Sequence, residues 1–167
     1  KVSNLESMKN FFEARADGYD EHMLNNVGGC KAGYIKMASL VPKGTKTLLD
    51  LGCGTGLELD ESFKVLPDIS VKGIDLTQGM LDKLSQKHSD KNINLICGDY
   101  FAVDFGAKAF DCAVSFQTMH HFEHEKKILL YRKIYDALTD NGIYIECDYM
   151  VETQEEEQTS EAKQVQK

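Results

Sequence analysis

The run Leu48-Leu49-Asp50-Leu51-Gly52-Cys53-Gly54-Thr55-Gly56 limits what this chain can fold into more than any other stretch. Leu48 to Leu51 is a short apolar run broken by Asp50, as expected of a central parallel strand covered on both faces. Glycines follow at alternate positions. Lacking a Cβ, each takes backbone angles closed to other residues and lets a ligand approach the main chain. Leu59, Phe63 and Leu66 then recur at helical spacing, so the turn opens a helix. Bare N–H groups at such a helix start suit a carboxylate or phosphate. Strand, glycine turn and helix together make a nucleotide-type cradle. The competing reading is a glycine turn that packs helix on strand and nothing more.

The spacing separates two cofactor classes. A dinucleotide fingerprint is G-x-G-x-x-G, whereas here the third glycine arrives one residue early, at Gly56, and Leu57 follows. That disfavours a nicotinamide-dependent oxidoreductase. The run G-x-G-x-G after Leu49-Asp50 resembles motif I of the class I methyltransferases that use S-adenosylmethionine (SAM). The resemblance covers roughly residues 10–150. It implies an α/β fold, a Rossmann-like, doubly wound, mainly parallel sheet of order 3-2-1-4-5 with helices on both faces. It also implies cofactor contacts from Asp50, Gly52, Cys53, Gly54 and Gly56.

Further site residues follow along the chain. Asp75 ends a second strand, Val71–Asp75, 25 positions after Asp50. Nucleotide folds place an acid about there to accept from ribose hydroxyls, and two carboxylate oxygens can serve two vicinal hydroxyls. Alternatively, Asp75 starts a turn before Thr77, which caps the next helix. The resemblance places Leu76 near the adenine; Met80 either reaches the adenine or packs in the core. After a third strand, residues 92–97, comes Gly98-Asp99-Tyr100. The matching family position accepts from the adenine amino group, with Tyr100 as a wall; an ordinary strand-end turn is the alternative. The fourth strand, residues 110–116, leads into Phe116-Gln117-Thr118-Met119-His120-His121-Phe122. In a doubly wound sheet this loop faces the crevice where strand order reverses, so Phe116 and Gln117 are expected at the cofactor. His120 and His121 are candidate general bases, set against plain loop structure and helix capping. With His124 they lack metal-ligand spacing, and no metal site is expected.

Residues about 1–41 are expected to form a helical lid on the SAM-binding domain, 1–150. Ser3-Asn4-Leu5-Glu6 reads as a capping box, and Leu5, Met8 and Phe12 mark one apolar face. In Phe11–Asp20, Gly18 is expected to end the helix. The resemblance gives Tyr19 a cofactor contact within a Tyr-Asp pair; Arg15 pairs with the methionine carboxylate or forms a surface salt bridge. Tyr34, Met37, Ala38 and Val41 mark a second helix stopped by Pro42-Lys43-Gly44. Later, Ile128, Tyr131, Ile134 or Tyr135, and Leu138 form a helical stripe, followed by the turn Asp140-Asn141-Gly142. The fifth strand is expected over Ile143–Met150, with Glu146 and Asp148 alternating on a face open towards substrate.

With 167 residues the chain fits one domain, and a net charge of -8 with no visible basic patch argues against nucleic acid. The five cysteines form no C-x-x-C pair, and no leader or membrane-length segment is visible, so a reducing cytoplasm and no membrane partner are expected. The chain departs from the family after the fifth strand, where two further strands are expected and Val151–Lys167 is a polar tail or solvated helix instead. Truncation or missing segments, or a partner over the fifth strand, would account for it; that strand's edge also offers a route to a homo-oligomer. The implied reaction is in-line methyl transfer from SAM to an O, N, S or C nucleophile of a small molecule. The absence of an Asn-Pro-Pro-Tyr motif after the fourth strand speaks against a nucleobase amino group. The alternative is a non-catalytic SAM-binding sensor or partner module.

Overall fold

A computed structural model describes residues 4–149. Ser3 of the expected capping box, Met150 and the tail 151–167 lie outside the described residues. Five strands form one parallel sheet of order β3-β2-β1-β4-β5: β1 Thr47–Leu51, β2 Ser70–Asp75, β3 Ile93–Cys97, β4 Phe110–Phe116 and β5 Leu138–Cys147. The order expected from the sequence is the order observed.

The apolar run of β1 is explained by cover on both faces. Leu48 packs with Val71, Cys112, Val114, Met37 of α3 (Cys30–Leu40) and Leu59 and Phe63 of α4 (Leu57–Val65). Leu49 and Leu51 pack the other way, with Ile74, Ala113 and Leu130, Ile134 and Ala137 of α6 (His124–Ala137). Alternate side chains of one strand thus enter two cores, so no polar face is needed. Asp50 lies on the Leu48 side of this alternation.

Three expectations are corrected. First, α1 (Asn4–Glu13) ends before Gly18, and Gly18 instead precedes α2 (Tyr19–Asn25) with φ 76°. A left-handed residue ahead of a helix redirects the chain, which glycine does without steric cost. Second, the face of α6 differs in part: Ile134, one of the expected positions, is buried, but with Leu130 and Ala137, while Ile128, Tyr131 and Tyr135 are 39%, 37% and 78% exposed. Both sets repeat at helical spacing, and the direct passage from Ala137 into Leu138 of β5 selects the second. Third, Asp140-Asn141-Gly142 does not precede β5 but lies within it. Phe110 pairs with Leu138 and Cys112 with Ile143, so the intervening residues form a bulge.

Strand order reverses between β1 and β4, leaving a crevice at their carboxyl ends. The N-terminal segment is fastened beside it. The aromatic edge of Phe12 meets His121 at 5.7 Å, and Lys83 of α5 (Gln78–Lys87) pairs with Asp17 at 2.8 Å. The hydroxyl of Thr55 donates to Asp20, whose carboxylate also meets Lys87 at 3.2 Å. Arg15 bends back onto its own segment, donating to the Phe11 carbonyl at 3.1 Å and covering the Phe11 ring.

Candidate functional site

The glycine turn has a different internal logic from the one its spacing suggests. Gly52, Gly54 and Gly56 have φ of 74°, 49° and 76°, the left-handed region. A Cβ on Gly52 would run into Thr118, and one on Gly56 into Leu84; one on Gly54 would meet nothing within 4 Å. Two glycines therefore permit close packing, and Gly54 opens onto space. Nor are the amides bare. Gly52 and Cys53 donate to the Ile74 carbonyl at 2.8 and 3.2 Å, and Gly56 to the Cys53 carbonyl at 2.7 Å. Gly54 donates to Asp75 Oδ2 at 2.9 Å. The expectation of unpaired N–H groups at these four positions is corrected: loop closure consumes them.

Asp75 therefore organises the loop as well as facing it. Its Oδ1 accepts from the Thr77 amide at 2.9 Å, joining the Gly54 turn to the start of α5. The turn reading and the binding reading coexist, because each oxygen retains a second lone pair. Burial pushes the Asp75 carboxyl upward, opposed by the backbone N–H groups of Gly54, Thr77 and Leu76. The Tyr19 ring is partly buried against the apolar core. Burial first, then the charges of Glu58 and Asp75, hold its phenol protonated.

The other expected residues divide. Leu76 and Met80 are buried, 8% and 2% exposed, and pack as core. Gly98 is close-packed, since a Cβ there would meet Val103 at 2.7 Å. Asp99 Oδ1 accepts from the Phe101 amide at 2.8 Å, the signature of an Asx turn. Tyr100 is 3% exposed and lies edge-on to Phe122 at 5.8 Å. Burial, then the charge of Asp75, holds its phenol protonated well above the usual range. Phe116 stacks on Tyr34 at 4.0 Å. Gln117 holds φ 50°, unusual for a non-glycine residue, and its side chain donates to Cys30 Sγ at 3.3 Å.

The loop after β4 brings two histidines together, with ring centres 4.0 Å apart. His120 Nδ1 lies 2.5 Å from Asp148 Oδ1, and its backbone N–H donates to Oδ2 at 3.0 Å. The carboxylate accepts, so Nδ1 carries the ring hydrogen, and in the neutral imidazole the lone pair is then on Nε2. Burial resists ionisation of Asp148, but the hydrogen bond and charge of His120, with the amides of Tyr149 and His120, hold its pKa below the usual range. The Asp148 side chain is 2% exposed. His121 differs: burial first, then the neighbouring His120, lowers it to about 4. It is a weak base at neutral pH, and His120 is the better placed of the two. Glu146 takes hydroxyls from Tyr131 and Tyr144 at 2.9 and 3.0 Å, and is engaged there.

Two participants, Thr118 and Glu58, escaped the sequence, and a third, Asp148, was expected at the substrate side without its partner. Thr118 interlocks with Gly52, and a lone threonine carries no spacing signal. Asp148 was visible as an acid, but its partner is 28 positions away. Glu58 is 5% exposed although an acid in the first turn of a helix is usually a solvated complement to the dipole. Among the described residues no group of three or more His, Cys, Asp or Glu is arranged to hold a metal.

The fold and the glycine cradle define the class, and comparison with known proteins agrees. The methyltransferase-domain family model matches residues 48–142, and the chain belongs to that family, the class I SAM-dependent methyltransferases. It is 32% identical over 106 residues to the biotin biosynthesis bifunctional protein BioHC of Teredinibacter turnerae, covering 58% of this chain and 18% of that protein. It is 31% identical over 107 residues to a carboxy-S-adenosyl-L-methionine synthase of Campylobacter fetus, covering 62% and 44%. The chain thus spans less than half the length of these relatives. A solved structure titled as a DhpI–SAM–HEP complex superposes with TM-score 0.75 at 17% identity, covering 96% of this chain and 72% of that one. At that identity the likeness is one of fold.

Two outcomes are expected. Gly52→Ala combines left-handed strain with a clash on Thr118 and loses about 2–4 kcal/mol in denaturant unfolding, whereas Gly54→Ala loses about 1 kcal/mol and its main effect falls on SAM binding. Equal losses at both would contradict the division of labour among the glycines. For His121, the unfolded chain binds the proton from about pH 6.5 and the folded chain only near pH 4. Stability from this residue is therefore present above about 6.5 and declines as pH falls towards 4. In thermal scans, His121→Gln loses this acid-limb decline, on the order of 2–3 kcal/mol by pH 4, relative to the unmodified chain.

Proposed function

We propose that this chain transfers a methyl group from SAM to a small-molecule acceptor whose nucleophile is deprotonated by His120. The observation that carries the proposal is the His120–Asp148 pair in the loop at the strand-order reversal. The residues present fit the cofactor: Gly54 opens onto space, Asp75 has lone pairs to spare, and buried carboxyl oxygens of Asp50 and Glu58 lack donors. Asp75 would hold the ribose hydroxyls, Gly54 the approach to the main chain, and Tyr19 the cover from the N-terminal segment. Asp50, Gly52, Cys53 and Gly56 shape the cradle from beneath. Leu76, Met80, Gly98, Asp99, Tyr100, Phe116 and Gln117 support the walls, several by packing.

When bound, SAM supplies a strongly electrophilic sulfonium methyl group. The protein's part is alignment and proton management. Asp148 orients the imidazole and stabilises its cation, and His120 Nε2 takes the acceptor's proton. The N-terminal segment, tied through Asp20 to Thr55 and through Phe12 to His121, excludes water from the crevice. A reducing cytoplasmic setting suits the five unpaired cysteines.

The test is transfer of a labelled methyl group from SAM to a panel of small acceptors. Because one relative is named as a synthase of a carboxylated SAM, the same incubations are screened for altered cofactor. Asp148→Asn is expected to lower kcat by about 10- to 100-fold, with SAM affinity unchanged. An undiminished kcat in the folded variant would remove His120 as base. Asp75→Ala is expected to weaken SAM binding by about 1.5–3 kcal/mol in calorimetry, as for lost hydrogen bonds to a charged group. An unaltered dissociation constant would remove the ribose assignment.

A further inference from the structure

Asp50 and Glu58 stand out as acids with almost no access to water, 0% and 5% exposed. Asp50 is the fourth residue of β1, on the sheet face covered by α3 and α4, and Glu58 is in the first turn of α4. Neither oxygen of Asp50 nor Oε1 of Glu58 has a hydrogen-bond donor. The two carboxyls are within hydrogen-bonding reach of each other, a contact that becomes a hydrogen bond only when one of them carries a proton.

The groups facing this pair are acidic from every side. Asp75 acts on the pair from β2, Tyr19 from α2, Tyr34 from α3, Cys53 from the glycine turn and Asp60 from α4. Lys87, the cation beside Asp60, is already shared between Asp20 and Asp60 at 3.2 and 2.9 Å. Among the described residues no lysine, arginine or histidine forms an ion pair with Asp50, Glu58 or Asp75. Two bare carboxylates in this place would repel each other without relief from water. The pair is neutralised either by a proton or by a positively charged guest.

We propose that Asp50 and Glu58 share one proton in the ligand-free chain and release it when a cationic adenosyl ligand enters the cradle, so that the pair tells the charged methyl donor from its uncharged-sulfur product. The inference rests on the cofactor reading above and deepens it. In the step, the O–H bond between the two carboxyls breaks, the proton passes to buffer, and the carboxylates are left facing the ligand's positive charge. Burial, followed by repulsion from Glu58's neighbour Asp50, raises Glu58 well above the ordinary range, and burial raises Asp50 to about 7. For acids raised on folding, the stabilisation is present below the unfolded value and is lost as pH rises through the folded one. The ligand-free chain therefore weakens towards neutral pH, where a cationic ligand restores it. By reciprocity, one released proton makes SAM affinity rise up to tenfold per pH unit.

The experiment is calorimetry of the full chain with SAM and with S-adenosylhomocysteine at about pH 6.5, below the range of about 7.7–8.0 in which a free α-amino group titrates. Buffers of different ionisation enthalpy report the protons exchanged. The expected result is release of about one proton with SAM and clearly fewer with S-adenosylhomocysteine. Glu58→Gln keeps a donor towards Asp50 but removes the shared proton. It is expected to abolish the release and to make the SAM-to-product affinity ratio independent of pH. Normal SAM binding with no proton exchange in the unmodified chain, or unchanged release in Glu58→Gln, would overturn the proposal and leave the cofactor reading intact. Failure of both ligands to bind would overturn the two together. Should Glu58→Gln not fold, Asp50→Asn and the unmodified chain's own buffer dependence decide the matter.

Discussion

The site depends on a steric fit at the strand-order reversal: Thr118 seated against Gly52. Its hydroxyl lies 3.2 Å from the carbonyls of Leu51 and Phe116, so one side chain ties the end of β1 to the end of β4. The contact exists because Gly52 has no Cβ to fill the same space. The 3-10 turn Met119–His121, which carries the His120–Asp148 pair, follows Thr118 directly. Close-packed interiors transmit such constraints because there is little room to absorb them.

A second constraint is charge. The cradle gathers Asp50, Glu58 and Asp75 with two tyrosines and sets no basic side chain against the three acids among the described residues. A fold normally buries a carboxyl only with a donor or a cation in reach. Here Asp75 has backbone donors while Asp50 and Glu58 have each other, which leaves a deficit of positive charge beside the glycine turn. That deficit is what the sulfonium of the proposed ligand would fill. It also separates the cofactor region from the His120 region, where Asp148 has its counter-charge built in.

Much of this was legible from residues alone. The G-x-G-x-G spacing, the strand before it and Asp75 at the next strand tip carried the resemblance to the family, and that resemblance implied the sheet order and the class of cofactor. The rest resisted for identifiable reasons. The glycines look alike in sequence, yet Gly52 and Gly56 serve packing and Gly54 serves access, a distinction set by Thr118 and Leu84 at distant positions. The stripe on α6 was ambiguous because Ile128, Tyr131 and Tyr135 repeat as regularly as Leu130, Ile134 and Ala137. Glu58 carried no signal in the sequence, since the helix dipole accounts for an acid in a first turn without burial.

The sequence by itself determined the alternation of elements, the two-sided burial of β1 and the cradle's place at its end, for these follow from periodicity and from glycine's missing side chain. The tertiary structure alone decided which amides are spent on loop closure, which histidine has a carboxylate at its back, and that Asp50 and Glu58 meet in the dark. The physical reason is that hydrogen bonds and charge interactions act over a few ångströms in space, and the partners in each case come from different elements of the chain.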